Sequence, residues 1–238
     1  MDVPKLEQPM KPLQFKIVKN KDDESVASNS PWVKPVRICY MQDGHEKVWD
    51  VVKSHDSVGI VVFNTTRKKL ILVRQFRPAA YYACLPDNVK EINIKQYPPS
   101  LGLTLELCAG IVDKDKPLVE IARDELREEC GYEVPASAFT KIVTYRGVGS
   151  GATKQTLFYV EVTDEMHIYP GGAESEGELI ELVEMNVEEA KEYINSGEVQ
   201  SPSSFLFGIS WFLSNKHGHL FSSVFQVEKL HRPVDIPS

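Results

Sequence analysis

One stretch constrains this chain more than any other: Gly110 to Tyr132, GIVDKDKPLVEIARDELREECGY. Its second half predicts a short helix with carboxylates at Glu125, Glu128 and Glu129, that is, at i, i+3 and i+4. At roughly 100° per residue the three fall within an arc of about 100° on one side of the helix. Leu118, Val119, Ala122, Leu126 and Cys130 form the adjoining apolar stripe, while Arg123 and Arg127 point to the far, solvent-facing side. Like charges at i,i+4 oppose helix formation by about 0.2–0.5 kcal/mol per pair, and a cation bound there would reverse that cost. Taken alone, charged text of this kind most often marks a solvated helix face. Three features weigh against that here. The acidic arc borders the apolar stripe rather than opposing it, and Gly131 is a good residue for stopping a helix. The preceding Leu105 to Val112 (LELCAGIV) predicts a strand running into a glycine turn. A strand, a glycine loop and a helix lined with oxygen donors suit a hard divalent cation, Mg²⁺ or Mn²⁺.

With 238 residues, 42% of them hydrophobic, the chain can bury one good core, with or without a small appendage. The expected layout is a mobile tail over 1–30, one domain over 31–215 and a C-terminal extension over 216–238. Cys39, Cys84, Cys108 and Cys130 lie far apart without a metal-site or disulfide spacing, which fits a reducing compartment. A net charge of −7 and a pI near 5.5 argue against nucleic-acid binding. No apolar run approaches the ~18 residues of a membrane span, and the N-terminus has no signal-peptide core. A cytoplasmic protein is expected. An anionic substrate would then need local devices, a metal and a few placed arginines.

In chain order, Val36 to Met41 and Lys47 to Val52 flank Gln42-Asp43-Gly44, a hairpin signal. Val58 to Asn64 and Leu70 to Phe76 read as buried strands. Tyr81 to Leu103 is a long insertion with little periodicity, either disordered or a lid. Beyond the central helix, Phe139 to Tyr145 and Gln155 to Val162 predict two strands. The RGVGSGAT between them is a phosphate cradle or, more often for such text, an ordinary turn. The acidic glycine loop Tyr169 to Gly177 leads to a strand over Glu178 to Met185. Asn186 then caps a helix through Ile194, and Ser203 to Ser214 predicts another, with Leu206, Phe207, Ile209, Phe212 and Leu213 as core.

Gly110, Glu125, Leu126, Glu128, Glu129, Gly131 and Tyr132 stand at the spacing of the Nudix box (110–132), G-x5-E-x7-R-E-U-x-E-E-x-G-U, and the chain resembles the Nudix hydrolases on that ground. The departures are Lys116 where the family has Glu and Asp124 where it has Arg, two charge reversals that could compensate each other. VRQFRP and LELCAG resemble phrases of the ADP-ribose and nucleotide-sugar branch, with Cys108 replacing a proline. The whole set, including GGAESEGELIE and GISWFLS, is most similar to the UDP-sugar diphosphatases (UDP-glucose pyrophosphatases).

The resemblance implies an α+β fold, a mixed sheet sandwiched between helices with N-terminal antiparallel strands, and a homodimer. It implies metal ligation by the Ala109 carbonyl and by Glu125, Glu128, Glu129 and Glu178. Glu176 is the expected general base, with Glu174 and Glu178 competing for that role and Glu128 counted among the catalytic acids as well. Gln75 and Arg77 are expected at the substrate. Trp49 would reach the nucleobase across the dimer, although a hairpin tryptophan is more often core or plain interface. The implied reaction turns UDP-glucose into UMP and glucose 1-phosphate. The alternative is an ADP-ribose or ADP-sugar pyrophosphatase; Lys154 and Gln155, where ADP-ribose enzymes usually show a proline-glycine phrase and an acid, weaken it. A non-catalytic nucleotide-binding module is the alternative of another class, and it should have lost some of these acids.

Overall fold

The run SVGIVVFN is apolar on both faces because it becomes a strand covered on both faces. In the computed structural model, which describes residues 33–89, 91–173 and 179–217, this strand, β3 (Ser57–Asn64), lies at the middle of a seven-stranded mixed sheet. An antiparallel hairpin precedes it: β1 (Lys34–Gln42) and β2 (His45–Lys53), turning through Asp43 (φ 54°) and Gly44 (φ 78°). Two consecutive positive φ values define the tight turn whose twist matches the paired strands. The hairpin forms its own two-stranded sheet.

β3 and β4 (Lys69–Phe76) pair only near their connection, Val62–Asn64 against Lys69–Ile71, and then diverge. The chain from Leu103 to Ile111 fills the gap between them. Its first part, β5 (Leu103–Glu106), pairs with β4, and its second, β6 (Cys108–Ile111), pairs with β3. The strand expected over Leu105 to Val112 is thus two short strands hinged at Leu107. β8 (Lys154–Val162) runs parallel to β3 on its other edge, with β7 (Thr140–Arg146) antiparallel beyond it, and β9 (Ile180–Asn186) flanks β4.

Strand alternation sends side chains to two cores. Val58, Ile60, Val62, Ile71 and Val73 meet Ile121, Ala122, Leu126 and Cys130 of the central helix (Leu118–Cys130). Val61, Phe63, Leu70 and Leu72 meet Ala190 of the helix Val187–Ile194 and Phe205, Ile209, Phe212 and Leu213 of the helix Ser203–Asn215. Each Val, Leu, Ile or Phe among them contributes about 1.5–3 kcal/mol on full burial. This is the α+β sandwich expected from the sequence. Asn186 starts its helix as expected, accepting the Glu189 N–H at 2.9 Å while Glu189 accepts the Asn186 N–H at 2.8 Å.

The central helix corrects one expectation. Leu118 is 36% exposed and lies outside the apolar stripe, whereas Ile121 is buried. The first turn meets the core through the partly buried Val119, while Leu118, one residue before it, is left exposed. The insertion after β4 folds back on the sheet: a short helix, Pro78–Ala83, seats the buried Tyr81, whose hydroxyl donates to Tyr97 O at 2.6 Å. The glycine run between β7 and β8 is a turn, closed by Gly147 N–H to Thr153 O at 3.0 Å, and Ser150 O accepts the Val52 N–H of the hairpin at 2.7 Å.

Candidate active site

The close approach of β6 and the central helix sets the geometry. A Cβ on Gly110 would overlap the Glu125 carboxyl group, far inside van der Waals contact. The motif's first glycine is therefore the space in which the Glu125 carboxylate sits. Four residues on, the buried Glu129 accepts the Ala109 N–H on Oε2 at 3.0 Å. Ala109 stands opposite Gly59 in the antiparallel pairing of β6 with β3. In such a pair a residue's N–H and C=O leave by the same edge. With its N–H turned to Glu129 rather than to β3, Ala109 directs its carbonyl toward the helix as well. Glu128 and Glu125 are half-buried on the same side.

Contacts along its length and at its C-terminal end fix the helix in place. At its start, the loop from β6 is tied down by Lys116 Nζ on Asp124 Oδ2 at 2.8 Å, and Arg123 Nη2 adds a bond to Asp124 Oδ1 at 2.8 Å. The two charge-reversed positions of the motif therefore meet as a compensated pair. Burial alone would raise the Asp124 pKa, but its bonds to Lys116 and Arg123 hold it below the ordinary carboxylate value. At the other end Gly131 takes φ 73°, the left-handed conformation that stops a helix, as its position in the motif predicts. The loop after it docks on the last carbonyls: Gly172 N–H on Glu129 O at 2.7 Å, Ala173 N–H on Glu128 O at 3.1 Å, Ile168 N–H on Gly131 O at 2.9 Å, and the Tyr169 hydroxyl on Arg127 O. The backbone of the expected acidic loop is thus anchored on the acidic helix. Glu174, Glu176 and Glu178 themselves lie outside the described residues.

Arg77 sits at the end of β4 and forks onto Glu106, Nε to Oε1 at 2.7 Å and Nη2 to Oε2 at 2.8 Å. Burial pushes the Glu106 pKa up, yet the bonds from Arg77 and Thr104 outweigh it and leave the carboxyl below its usual value. The Thr104 hydroxyl donates to Glu106 Oε1 at 2.6 Å, and the backbone oxygen of Gln75, two residues before Arg77, lies 3.3 Å from that hydroxyl. Sequence reasoning missed Glu106. Its signal was alternation: Thr104 and Glu106 share one face of β5 and both are buried. Arg74, by contrast, pairs with Glu181 across the β4–β9 ladder. Trp49 is on the hairpin, 53% exposed and opposite Ile38.

What could hold a metal is a set of hard oxygen donors along one edge: Glu125 in the space over Gly110, Glu129 against Ala109, Glu128 beside them and the Ala109 carbonyl. Among the described residues no three His, Cys, Asp or Glu side chains form a closed cluster. The set is an open row, to which the backbone carbonyl adds a donor that is not a side chain. Its chemistry fits Mg²⁺ or Mn²⁺ rather than a soft metal. The neighbouring Cys108 thiol is pushed well up by burial, then by Cys130 and Glu129, and so stays neutral. A cavity of about 360 Å³ lies among Arg123, Asp124, Arg127 and Tyr132 to Pro135, and its lining does not include Glu125, Glu128 or Glu129.

A strand, a glycine and an acidic helix held in this way define a Nudix hydrolase, and the chain belongs to that family. It is 39% identical over 209 residues to the uridine diphosphate glucose pyrophosphatase of Mus musculus, covering 82% of this chain and 94% of that one. The enzyme of the same name from Bos taurus is 40% identical over 199 residues, 78% of this chain and 90% of that one. The GDP-mannose pyrophosphatase of Cronobacter sakazakii is 31% identical over 157 residues, 66% and 73% of the two chains. No protein-family model matches the chain.

Proposed function

We propose that the chain hydrolyses the diphosphate bond of a nucleotide sugar, with UDP-glucose as the preferred substrate and UMP and glucose 1-phosphate as products. The names of its relatives support the substrate class. The observation that carries the chemistry is the pair of contacts that bring Glu125 and Glu129 to one strand edge: Glu125 over Gly110 and Glu129 on the Ala109 N–H.

Glu125, Glu128, Glu129 and the Ala109 carbonyl, joined by Glu178, are the groups that would hold Mg²⁺, with Mn²⁺ able to substitute. When bound, a divalent cation offsets charge on the phosphoryl oxygens and lowers the pKa of water. Glu176 accepts the proton of the attacking water. The water oxygen bonds to phosphorus, the bridging P–O bond breaks, and the pyrophosphate is divided between nucleotide and sugar. Arg77 meets an anionic oxygen of the substrate, its planar fork suiting that contact, and Gln75 lies beside it.

The hairpin carries Val36, Ile38 and Tyr40 against Val51, Trp49 and Lys47 on one face, with Ile38 45% and Trp49 53% exposed. An apolar face of this kind supports a homodimer in which Trp49 reaches the base bound by the partner. No helix among the described residues is long and apolar enough to cross a membrane, and a cytoplasmic location is proposed on the sequence reading. Rates on UDP-glucose, GDP-mannose and ADP-ribose at saturating Mg²⁺ test the assignment. A kcat/KM highest for UDP-glucose is expected, and a large preference for ADP-ribose would overturn the choice of base.

A further inference from the structure

Glu106 is a carboxylate buried within the wedge between β3 and β4, and nothing in the hydrolytic scheme above uses it. Both its oxygens are taken by Arg77, at 2.7 and 2.8 Å, and Oε1 also accepts the Thr104 hydroxyl at 2.6 Å. The same hydroxyl is 3.3 Å from Gln75 O. A hydroxyl has one hydrogen, and the shorter contact to a charged acceptor takes it. Stability alone is a weak reason for such a group, since well-packed apolar residues commonly do as well as a buried ion pair. The partner is also unlike a core residue: the Arg77 side chain is 46% exposed while that of Glu106 is 7% exposed. One end of the pair is fixed in the sheet and the other reaches solvent. Glu106 stands three residues before Ala109 on the same run of chain, so the Cα atoms of the two residues are at most about 11 Å apart.

We propose that Glu106 is a positioning residue, holding the Arg77 guanidinium in the plane and direction in which it meets the anionic part of the nucleotide sugar, with Thr104 fixing Glu106 in turn. The inference rests on the reading of Arg77 as a substrate contact. Two of the five N–H donors of the guanidinium are committed to Glu106, which sets the orientation of the rest. The alternative role for Glu106, simple charge neutralisation, has the opposite consequence. A carboxylate beside the arginine weakens its pull on an anion, so removing that charge should tighten substrate binding.

The test is steady-state hydrolysis of UDP-glucose at saturating Mg²⁺ by Glu106→Gln, Thr104→Val, Arg77→Ala and the double variant Arg77→Ala/Glu106→Gln, each checked for folding by circular dichroism. Glutamine keeps one acceptor and turns an NH₂ toward the guanidinium, so the fork is lost. The expected result is a KM raised about 10-fold in Glu106→Gln with kcat changed less than about 3-fold. Thr104→Val should shift KM the same way by a smaller factor, and the double variant should be no worse than Arg77→Ala. Should Glu106→Gln fail to fold, Thr104→Val decides the matter. A KM that is unchanged or lowered in Glu106→Gln, or in Thr104→Val where that variant decides, while Arg77→Ala raises it, overturns the role of Glu106. An unchanged KM in Arg77→Ala overturns the substrate contact on which the inference rests.

Discussion

Lys116 Nζ lies 2.8 Å from Asp124 Oδ2, so the two residues at which this chain reverses the charges of the Nudix motif are bound to each other. The loop that leaves β6 and the second turn of the acidic helix are held by the same kind of pair the motif implies, with its polarity exchanged. Attraction between opposite charges does not depend on which side carries which sign, so exchanging both preserves the tether.

Exchanging the pair again should therefore cost little. Lys116→Glu places a like charge opposite Asp124, and Asp124→Arg does so opposite Lys116 and beside Arg123; each alone should destabilise. The double variant Lys116→Glu/Asp124→Arg should recover part of the loss. The pair is partly exposed, 43% at Lys116 and 22% at Asp124, so only a small coupling is expected between them. Urea denaturation of the four proteins measures it.

The same carboxylate shapes the acid limb of stability. Asp124 is held below its ordinary value of 3.8 and Glu106 below 4.5 in the folded chain. Below its ordinary pKa each group binds more protons unfolded than folded, so stability falls as pH falls until the folded pKa is passed. The stabilisation is complete above about pH 5 and disappears on the acid side of that. Asp124→Asn should flatten the fall of stability below about pH 4 and leave its slope near neutrality unchanged. Thermal melts across pH 3 to 7 check this, and an unchanged acid limb would count against the pairing.

Gly110→Ala should damage activity far more than folding. The added methyl would occupy the space of the Glu125 carboxyl group, and Glu125 is half-buried at a helix edge where it can turn away. Displacing one ligand by about 1 Å is enough to cost on the order of 100-fold in rate. Hydrolysis assays and a melting curve on the same sample separate the two effects.

The hairpin face predicts the assembly. Ile38→Glu puts a charge in the middle of the apolar row of Val36, Ile38, Tyr40 and Trp49. Light scattering should give a dimer for the parent and a monomer for the variant. A monomeric parent would remove Trp49 from any role at a partner's site.

The sequence showed the three helix glutamates, the glycine stop, the hairpin turn and the doubly buried strand, because each is a local pattern whose period or spacing fixes its neighbours. What it could not show were meetings between distant side chains. Lys116 and Asp124 face each other only because the loop from β6 folds over the helix. Glu106 meets Arg77 only because β5 pairs with β4 in the register that sets Val73 opposite Glu106. Leu118 was misjudged for the same reason: helical periodicity places it on the apolar stripe, but in the folded chain Val119 and Ile121 face the core and Leu118 does not. Nothing in a single chain's text says that Glu129 is buried, or that its carboxylate takes the Ala109 N–H.

Glu125, Glu128, Glu129 and the Ala109 carbonyl are proposed to gather a divalent ion at the substrate's diphosphate. Titration of the protein with Mn²⁺, followed by the electron paramagnetic resonance of free Mn²⁺, tests it without relying on turnover. Glu129→Gln and Glu125→Gln, each still folded by circular dichroism, should lose on the order of 10-fold or more in Mn²⁺ affinity. Mn²⁺ binding as tight as in the parent chain in both variants would contradict it.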